Sequence, residues 1–89
     1  MVEKTIVIKN KLGLHARAAV KFVNLANRYG SSVKIIKDET EIDGKSILGI
    51  LTLAATQGTS IVLRISGQDE ADAFKAVEEL VKSKFGEKE

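Results

Sequence analysis

The sequence predicts an α+β fold in which a single sheet carries helices on one face. Two observations support this prediction. The elements follow one another in the order βαββαβα with short connections, and residues 60–66 form a strand with apolar side chains at alternate positions. A strand with one apolar face buries that face under helices and leaves the other to water. We therefore expect an open-faced sandwich, with a four-stranded, largely antiparallel sheet and three helices on one face.

Size and composition limit the classes of protein that this chain can represent. A chain of 89 residues suits one compact domain, which we place at residues 1–89. Cysteine is absent, which excludes thiolate catalysis, zinc fingers and a disulfide framework. The longest apolar stretch, residues 47–55, is far too short to span a membrane, and the first ten residues lack the apolar core of a signal peptide. We expect a cytoplasmic protein without membrane insertion.

The first half of the chain contains three predicted strands and one clear amphipathic helix. Residues 2–8 alternate as a strand, and residues 32–37 and 40–44 form a hairpin. Between them, a helix begins near Ala16 and is expected to end at Gly30, since glycine is a common C-terminal stop. The apolar face of this helix consists of Ala19, Phe22, Leu25, Ala26 and Tyr29.

The second half supplies two helices and the fourth strand. Ser46 is the predicted N-cap of a helix over residues 47–55. After the strand at residues 60–66, Asp69 with an acidic residue three positions later predicts a capping box. The helix that follows is expected to close at Gly86, before a charged tail. Its apolar stripe consists of Phe74, Val77 and Val81.

Basic residues concentrate in the part of the chain that contains its only histidine. Residues 1–37 have eight Lys or Arg and one acidic residue, whereas residues 38–89 have six against eleven. This asymmetry favours an acidic or phosphorylated partner near His15. Nucleic acid is a weaker alternative, because the four aromatic residues have the spacing of helix cores and form no stacking platform. We expect no nucleic-acid partner.

The stretch NKLGLHARAA, residues 10–19, places His15 at the N-cap of the first predicted helix. The backbone N–H groups of Ala16, Arg17 and Ala18 then lack partners within the helix. Such helix starts favour phosphate, and the Arg17 guanidinium can hold two phosphate oxygens. A neutral imidazole has a lone pair that can attack phosphorus, and the positive helix end disfavours the imidazolium. These residues predict a site that accepts and releases a phosphoryl group.

The histidine also has an ordinary interpretation. A single histidine where a loop meets a helix can be a solvated or hydrogen-bonded side chain without any chemistry. A Ser/His/Asp triad or a metal site cannot be assembled from one histidine and no cysteine, so we expect no metal and no cofactor. A group carrier needs only one nucleophile, which keeps the phosphoryl hypothesis open beside the ordinary one.

Two motifs together resemble a known family. GLHARAA at residues 13–19 and GKSILGIL at residues 44–51, in a chain of this length, closely resemble the histidine-containing phosphocarrier (HPr) family of the bacterial phosphotransferase system. The resemblance covers essentially the whole chain. It implies a phosphoryl carrier for sugar transport, not an enzyme, that is charged by enzyme I at the expense of phosphoenolpyruvate and discharged by an enzyme IIA. We expect a monomer.

The resemblance also implies roles for individual residues. His15 matches the residue phosphorylated on Nδ1, and Arg17 matches the arginine that stabilises the phosphate. Ser46 matches the regulatory serine that an ATP-dependent HPr kinase/phosphorylase modifies in many relatives. Ala18 departs from the family, which usually has proline there; alanine is a good helix former and restores one N–H donor. The stretch NKLG before the histidine is also typical of the nitrogen-regulatory branch.

The predicted helix after Ser46 is apolar nearly all round, with Ile50 and Leu53 on one side. Because a one-sided core cannot bury both sides, we expect the other side to be exposed as a docking surface. This surface consists of Ile47, Leu48 and Leu51, with Val20 of the first helix beside it; the resemblance implies the same partner-contact face. The tripeptide GKS does not predict ATP binding, because a P-loop needs glycine where Glu39 stands.

Three functions remain open from the sequence. The first is a phosphocarrier that uses His15. The second is a regulatory binding module that acts through Ile47, Leu48 and Leu51 without carrying phosphate. The third is a ferredoxin-like ligand-binding domain, which shares the βαββαβ order but does not explain a His-Ala-Arg sequence at a helix start.

Overall fold

The computed structural model describes residues 1–88 as a four-stranded sheet with three α-helices. In chain order the elements are β1 (Val2–Val7), α1 (Ala16–Ala26), β2 (Ser32–Lys37), β3 (Thr40–Asp43), α2 (Ile47–Leu53), β4 (Ser60–Ser66) and α3 (Glu70–Lys82), followed by a 3-10 turn at Lys84–Gly86. The predicted βαββαβα order and fold class are confirmed. The last residue of the predicted charged tail, Glu89, lies outside the described residues.

All neighbouring strands of the sheet are antiparallel, in the order β1-β4-β2-β3. Two apolar residues of β4 lie opposite apolar residues of its neighbours, with Ile61 opposite Ile6 of β1 and Ile65 opposite Val33 of β2. These four side chains are buried. Because alternate residues share a face, they form the layer on which the helices pack.

The opposite face of the sheet carries charged residues. Arg64 of β4 donates hydrogen bonds from Nε to Glu3 at 2.6 Å and from Nη1 to Glu41 at 2.9 Å, which links β4 to β1 and β3. Lys34 of β2 lies opposite Arg64 in the register and is half-buried. This alternation is typical of an antiparallel sheet with one solvated face and leaves all three helices on the other.

The predicted end of α1 at Gly30 is wrong. The helix ends at Ala26, and the chain continues in turns, where Tyr29 N donates to the Ala26 carbonyl at 3.2 Å. The N–H groups of Gly30 and Ser31 donate to the Asp69 carboxylate, each at 3.0 Å. Gly30 therefore serves as a hydrogen-bond donor to a distant side chain and not as a left-handed helix stop.

The predicted capping box at the start of α3 is also wrong. Asp69 is the N-cap residue, but its side chain makes no capping hydrogen bond. Its carboxylate instead accepts from the two amides named above and from the Ser31 hydroxyl. The Ser31 hydrogen bond is the main cause that lowers the Asp69 pKa, and the Gly30 amide contributes next.

Helices α2 and α3 end earlier than the sequence predicted. Helix α2 ends at Leu53 because Ala54 takes a left-handed conformation, with φ 52°, and donates to the Leu51 carbonyl. Helix α3 ends at Lys82, and Gly86 belongs to the separate 3-10 turn. None of the helices formed by residues 1–88 is long and apolar enough to cross a membrane.

Candidate functional site

The loop before α1 is held by the loop before β4. Leu14 N donates to the Ala55 carbonyl at 2.9 Å, and Gly13 N donates to the Asn10 carbonyl at 3.1 Å. Gly13 has φ +68°, and a Cβ there would lie 2.5 Å from the Ala55 oxygen. Only glycine satisfies both the left-handed backbone and the close approach of the two loops. This turn determines where the following helix starts and therefore where His15 lies.

His15 occupies the N-cap of α1, as the sequence predicted. Its backbone is extended, with φ −76° and ψ 178°, and its side chain makes no capping hydrogen bond. The first intrahelical bond runs from Ala19 N to the His15 carbonyl at 2.9 Å. The N–H groups of Ala16, Arg17 and Ala18 consequently have no acceptor within the helix. A bound anion can accept from donors of this kind, although Ala18 itself is fully buried as a residue.

The His15 ring contacts the C-terminal segment of the chain. Its Nε2 is hydrogen-bonded to Oε2 of Glu87, and the side chains of the two residues are 24% and 13% exposed. The other carboxylate oxygen, Oε1, accepts from Nδ2 of Asn10 at 2.9 Å. Asn10 is fully buried, and its Nδ2 also donates to the Gly13 carbonyl at 2.7 Å. The imidazole is thus oriented by a carboxylate that is itself held by a buried amide.

The electrostatics around Glu87 favour its ionised form. The hydrogen bond from Asn10 is the main cause that lowers the Glu87 pKa, and the contacts with His15 and the charge of Arg17 lower it further, against the effect of burial. An ionised carboxylate has no proton to donate, so it can only accept the hydrogen bond that joins it to His15.

An open cleft of about 500 Å³ lies beside this contact. It is lined by Lys11, Leu12, Arg17, Lys21, Gly86, Glu87 and Lys88. Four of these residues are cationic and one is anionic. Arg17 is exposed, as are Lys11, Lys21 and Lys88. The cleft agrees with the basic surroundings of His15 that the sequence indicated, and it offers an anion several cationic side chains next to the start of α1.

Ser46 lies at the start of α2 and is half-buried. Its Oγ accepts a hydrogen bond from the Gly49 N–H at 3.1 Å, which confirms the predicted N-cap. Unlike His15, Ser46 therefore uses its side chain to satisfy a backbone donor of its own helix.

The two sides of α2 differ in burial. Ile50 and Leu53 are 0% and 5% exposed and contribute to the core. Leu48 is 77% exposed, and Ile47, Leu51 and Val20 of α1 are exposed as well. Helix α1 packs against α2, so Val20 and the exposed side of α2 belong to neighbouring elements. The structure thus leaves exposed the four apolar residues that the sequence predicts as a docking surface.

Sequence reasoning missed three residues of this site. The sequence predicts only a charged tail at Glu87 and assigns Asn10 no role in the site. The sequence also predicts no role for Leu12, which is 67% exposed and lines the cleft. Asn10 followed three residues later by glycine is a local signal for a side chain that holds a turn. No local signal connects Glu87 to His15, because the two are 72 positions apart.

Comparisons with known proteins identify the family of the chain. A family model described as "PTS HPr component phosphorylation site" matches residues 2–83 of the chain. The chain belongs to the HPr family. HPr proteins are phosphocarriers of the phosphotransferase system; they carry phosphoryl groups and are not catalysts. The phosphocarrier protein HPr of Neisseria meningitidis is 46% identical over 89 residues, which cover 100% of both chains.

Solved HPr structures share the fold along the whole chain. HPr-C-His from Thermoanaerobacter tengcongensis has a TM-score of 0.96 and 46% identity, with 100% of both chains covered. A structure described as an HPr dimer from the same organism has a TM-score of 0.79 and 47% identity, covering 98% of this chain and 100% of the other. Among residues 1–88, no group of three or more His, Asp or Glu side chains is arranged to hold a metal ion.

Proposed function

We propose that this HPr-family chain accepts a phosphoryl group on Nδ1 of His15 from enzyme I, charged by phosphoenolpyruvate, and passes it to an enzyme IIA. The observation that carries the proposal is a half-buried imidazole at a helix start where its side chain leaves the first backbone N–H groups uncapped. In the accepting step, the Nδ1 lone pair forms a bond to phosphorus while the bond between phosphorus and its donor breaks. Delivery to enzyme IIA is the same exchange, with His15 as the leaving group.

The surroundings of His15 supply what this exchange needs. The N–H groups at the start of α1 and the guanidinium of Arg17 can donate hydrogen bonds to the phosphoryl oxygens and stabilise their negative charge. The cationic side chains of the cleft raise the local concentration of an anionic group before contact. None of these groups has to form or break a covalent bond, which suits a carrier whose partners provide the remaining machinery.

Incubation with purified enzyme I and phosphoenolpyruvate tests the proposal. Intact mass should increase by one phosphoryl group, and the modification should be lost in acid and survive in base, as for phosphohistidine. His15→Ala should show no increase. Ser46→Ala is the matched control and should be labelled like the wild type. A full mass increase on His15→Ala would remove His15 from the proposal.

We propose that Val20, Ile47, Leu48 and Leu51 form the surface on which enzyme I and enzyme IIA dock. The exposure of Leu48 supports this role, since a leucine in solvent adds nothing to the core and is available to a partner. Leu48→Ala should raise the KM for transfer from enzyme I and leave kcat unchanged. Val7→Ala, at an exposed valine of the sheet, is the control and should change neither. An unchanged KM for Leu48→Ala would contradict the docking role.

We further propose that Ser46 is a regulatory phosphorylation site for an ATP-dependent HPr kinase/phosphorylase. Its half-buried hydroxyl lies next to the docking residues, so a phosphate there would place negative charge against an approaching partner. Treatment with that kinase and ATP should add an acid-stable phosphate to the wild type and none to Ser46→Ala. The alternative function is a regulatory module that binds partners through the same surface without carrying phosphate. Partner binding through α2 by a protein whose His15 stays unlabelled would favour this alternative.

A further inference from the structure

The C-terminal segment is folded back on the start of α1. The Phe85 side chain is 1% exposed and belongs to the core, and Lys21 of α1 donates from Nζ to the Phe85 carbonyl at 2.6 Å. Lys84, Phe85 and Gly86 all have positive φ, between 57° and 76°, so the chain turns sharply before residue 87. This tight turn and its anchored phenylalanine deliver the Glu87 side chain to His15.

The Glu87 carboxylate is held on both of its oxygens. Oε1 accepts from Asn10 and Oε2 is bonded to His15 Nε2. The two Nδ2 hydrogens of the fully buried Asn10 are both used, one on Glu87 and the other on the Gly13 carbonyl. Since Gly13 belongs to the turn that sets the start of α1, the same amide fixes the turn and the carboxylate. The relative placement of Glu87 and the imidazole is therefore built into the fold.

We propose that Glu87 is a positioning residue for His15, because its carboxylate keeps the ring proton on Nε2 and leaves the lone pair on Nδ1. This inference rests on the proposed phosphoryl transfer. A neutral imidazole carries one proton, and a carboxylate acceptor on Nε2 requires that proton there. The nucleophilic lone pair is then on the opposite ring nitrogen.

The same contact also serves the transfer step itself. As Nδ1 forms its bond to phosphorus, the ring gains positive charge, which the hydrogen bond from Nε2–H to the Glu87 carboxylate stabilises. A carboxylate behind a catalytic imidazole acts in this way in hydrolytic triads, where it fixes the tautomer and stabilises the charged ring. The carboxylate does not take the proton, and no atom of Glu87 bonds to phosphorus.

Nitrogen NMR of the ring tests the tautomer directly, and His15 is the only histidine of the chain. Wild-type protein with 15N-labelled histidine should show the neutral ring protonated on Nε2. Glu87→Gln, which keeps the shape and removes the charge, should shift the ring toward a mixture of tautomers. Glu79→Gln, at an exposed carboxylate of α3, is the matched control and should match the wild type.

Transfer kinetics provide the second readout. Glu87→Gln should lower kcat for transfer from phosphorylated enzyme I by about tenfold, with KM and the unfolding temperature close to wild type. An unchanged tautomer and kcat would overturn the positioning role, and a faster variant would also overturn it, because Glu87 would then be blocking the site. If the wild type takes no phosphoryl group, the proposed function fails, whereas the NMR result on the unphosphorylated protein still decides the role of Glu87.

Discussion

The starts of α1 and α2 solve the same physical problem in opposite ways. Each helix begins with backbone N–H groups that have no partner inside the helix. At α2, the Ser46 hydroxyl accepts from Gly49 N and satisfies one of them. At α1, the His15 side chain makes no such bond and is turned to Glu87. A helix start that caps itself gains stability, whereas one that leaves its donors free can bind an anion from outside.

Among the predicted changes, replacing Arg17 in the first turn of α1 should have the largest effect, and this effect is on the rate of phosphoryl transfer. Arg17→Ala should slow transfer from enzyme I by about 10- to 1000-fold, which corresponds to a loss of about 1.4 to 4 kcal/mol of transition-state stabilisation. Labelling should still occur slowly, because the backbone donors of α1 remain. Arg28→Ala, which removes an exposed arginine just beyond the end of the same helix, is the control. Rapid-quench kinetics of both variants measure the difference; equal rates would exclude Arg17 from the mechanism.

The next largest effect is expected on stability, when Gly13 in the turn before His15 is replaced. Gly13→Ala introduces a Cβ that meets the Ala55 oxygen at 2.5 Å on a left-handed backbone, and we expect it to lower the free energy of unfolding by about 2 to 4 kcal/mol. Gly58→Ala separates the cost of the left-handed backbone from the cost of the steric contact, because Gly58 has φ +86° but nothing within 4 Å of its added Cβ. It should cost about 1 kcal/mol. Urea unfolding of both variants measures the costs; equal values would mean that the contact with Ala55 is unimportant.

Ser46 tests the closed helix start. Ser46→Ala removes the cap and should lower the free energy of unfolding by about 1 kcal/mol without changing transfer from enzyme I. Ser46→Asp can still accept from Gly49 N and adds a charge that suits a helix start, so stability should hold or rise by about 0.3 to 1 kcal/mol.

The charge of Ser46→Asp should instead weaken docking of enzyme I, because a negative group beside the apolar residues of α2 must lose its bound water when the partner docks. The effect should appear in KM and diminish with added salt. Thermal unfolding and transfer kinetics against enzyme I concentration measure both properties. Wild-type kinetics for Ser46→Asp would leave Ser46 with a capping role alone.

The start of α3 is a third case, in which the Asp69 carboxylate has a small effect on stability that appears only at acidic pH. The Asp69 pKa is lowered from 3.8, chiefly by the Ser31 hydroxyl. A carboxylate with a lowered pKa contributes stability above its unfolded pKa and loses that contribution as the pH falls from the unfolded pKa through the lower folded pKa. Asp69→Asn should therefore lose less stability over this range than the wild type in thermal unfolding. An identical loss would show that the Asp69 contacts contribute nothing.

Local patterns were enough to predict most of the fold. The alternation at Ile61, Leu63 and Ile65 depends only on a strand with one buried face, and these residues are buried as expected. The cap at Ser46 and the position of His15 at a helix start are likewise properties of neighbouring residues. Sequence reasoning therefore located both helix starts and the exposed apolar side of α2.

What the sequence could not provide are contacts between distant side chains. The sequence predicts a capping box at Asp69, but the Asp69 carboxylate accepts hydrogen bonds from Ser31, 38 positions earlier. Glu87 lies 72 positions from His15. Such pairs depend on how the C-terminal segment folds against α1, which the hydrophobic pattern alone does not determine.

The role of His15 is tested most directly by determining which ring nitrogen carries the phosphoryl group after phosphorylation and which carries the proton. Protein with 15N-labelled histidine is charged with enzyme I and phosphoenolpyruvate, and its ring nitrogens are observed with 31P coupling. Because the chain has a single histidine, the spectrum reports one ring. We predict phosphorus on Nδ1 and the proton on Nε2. Phosphorus on Nε2, or an unmodified ring in a protein that has gained a phosphoryl group, would contradict the account.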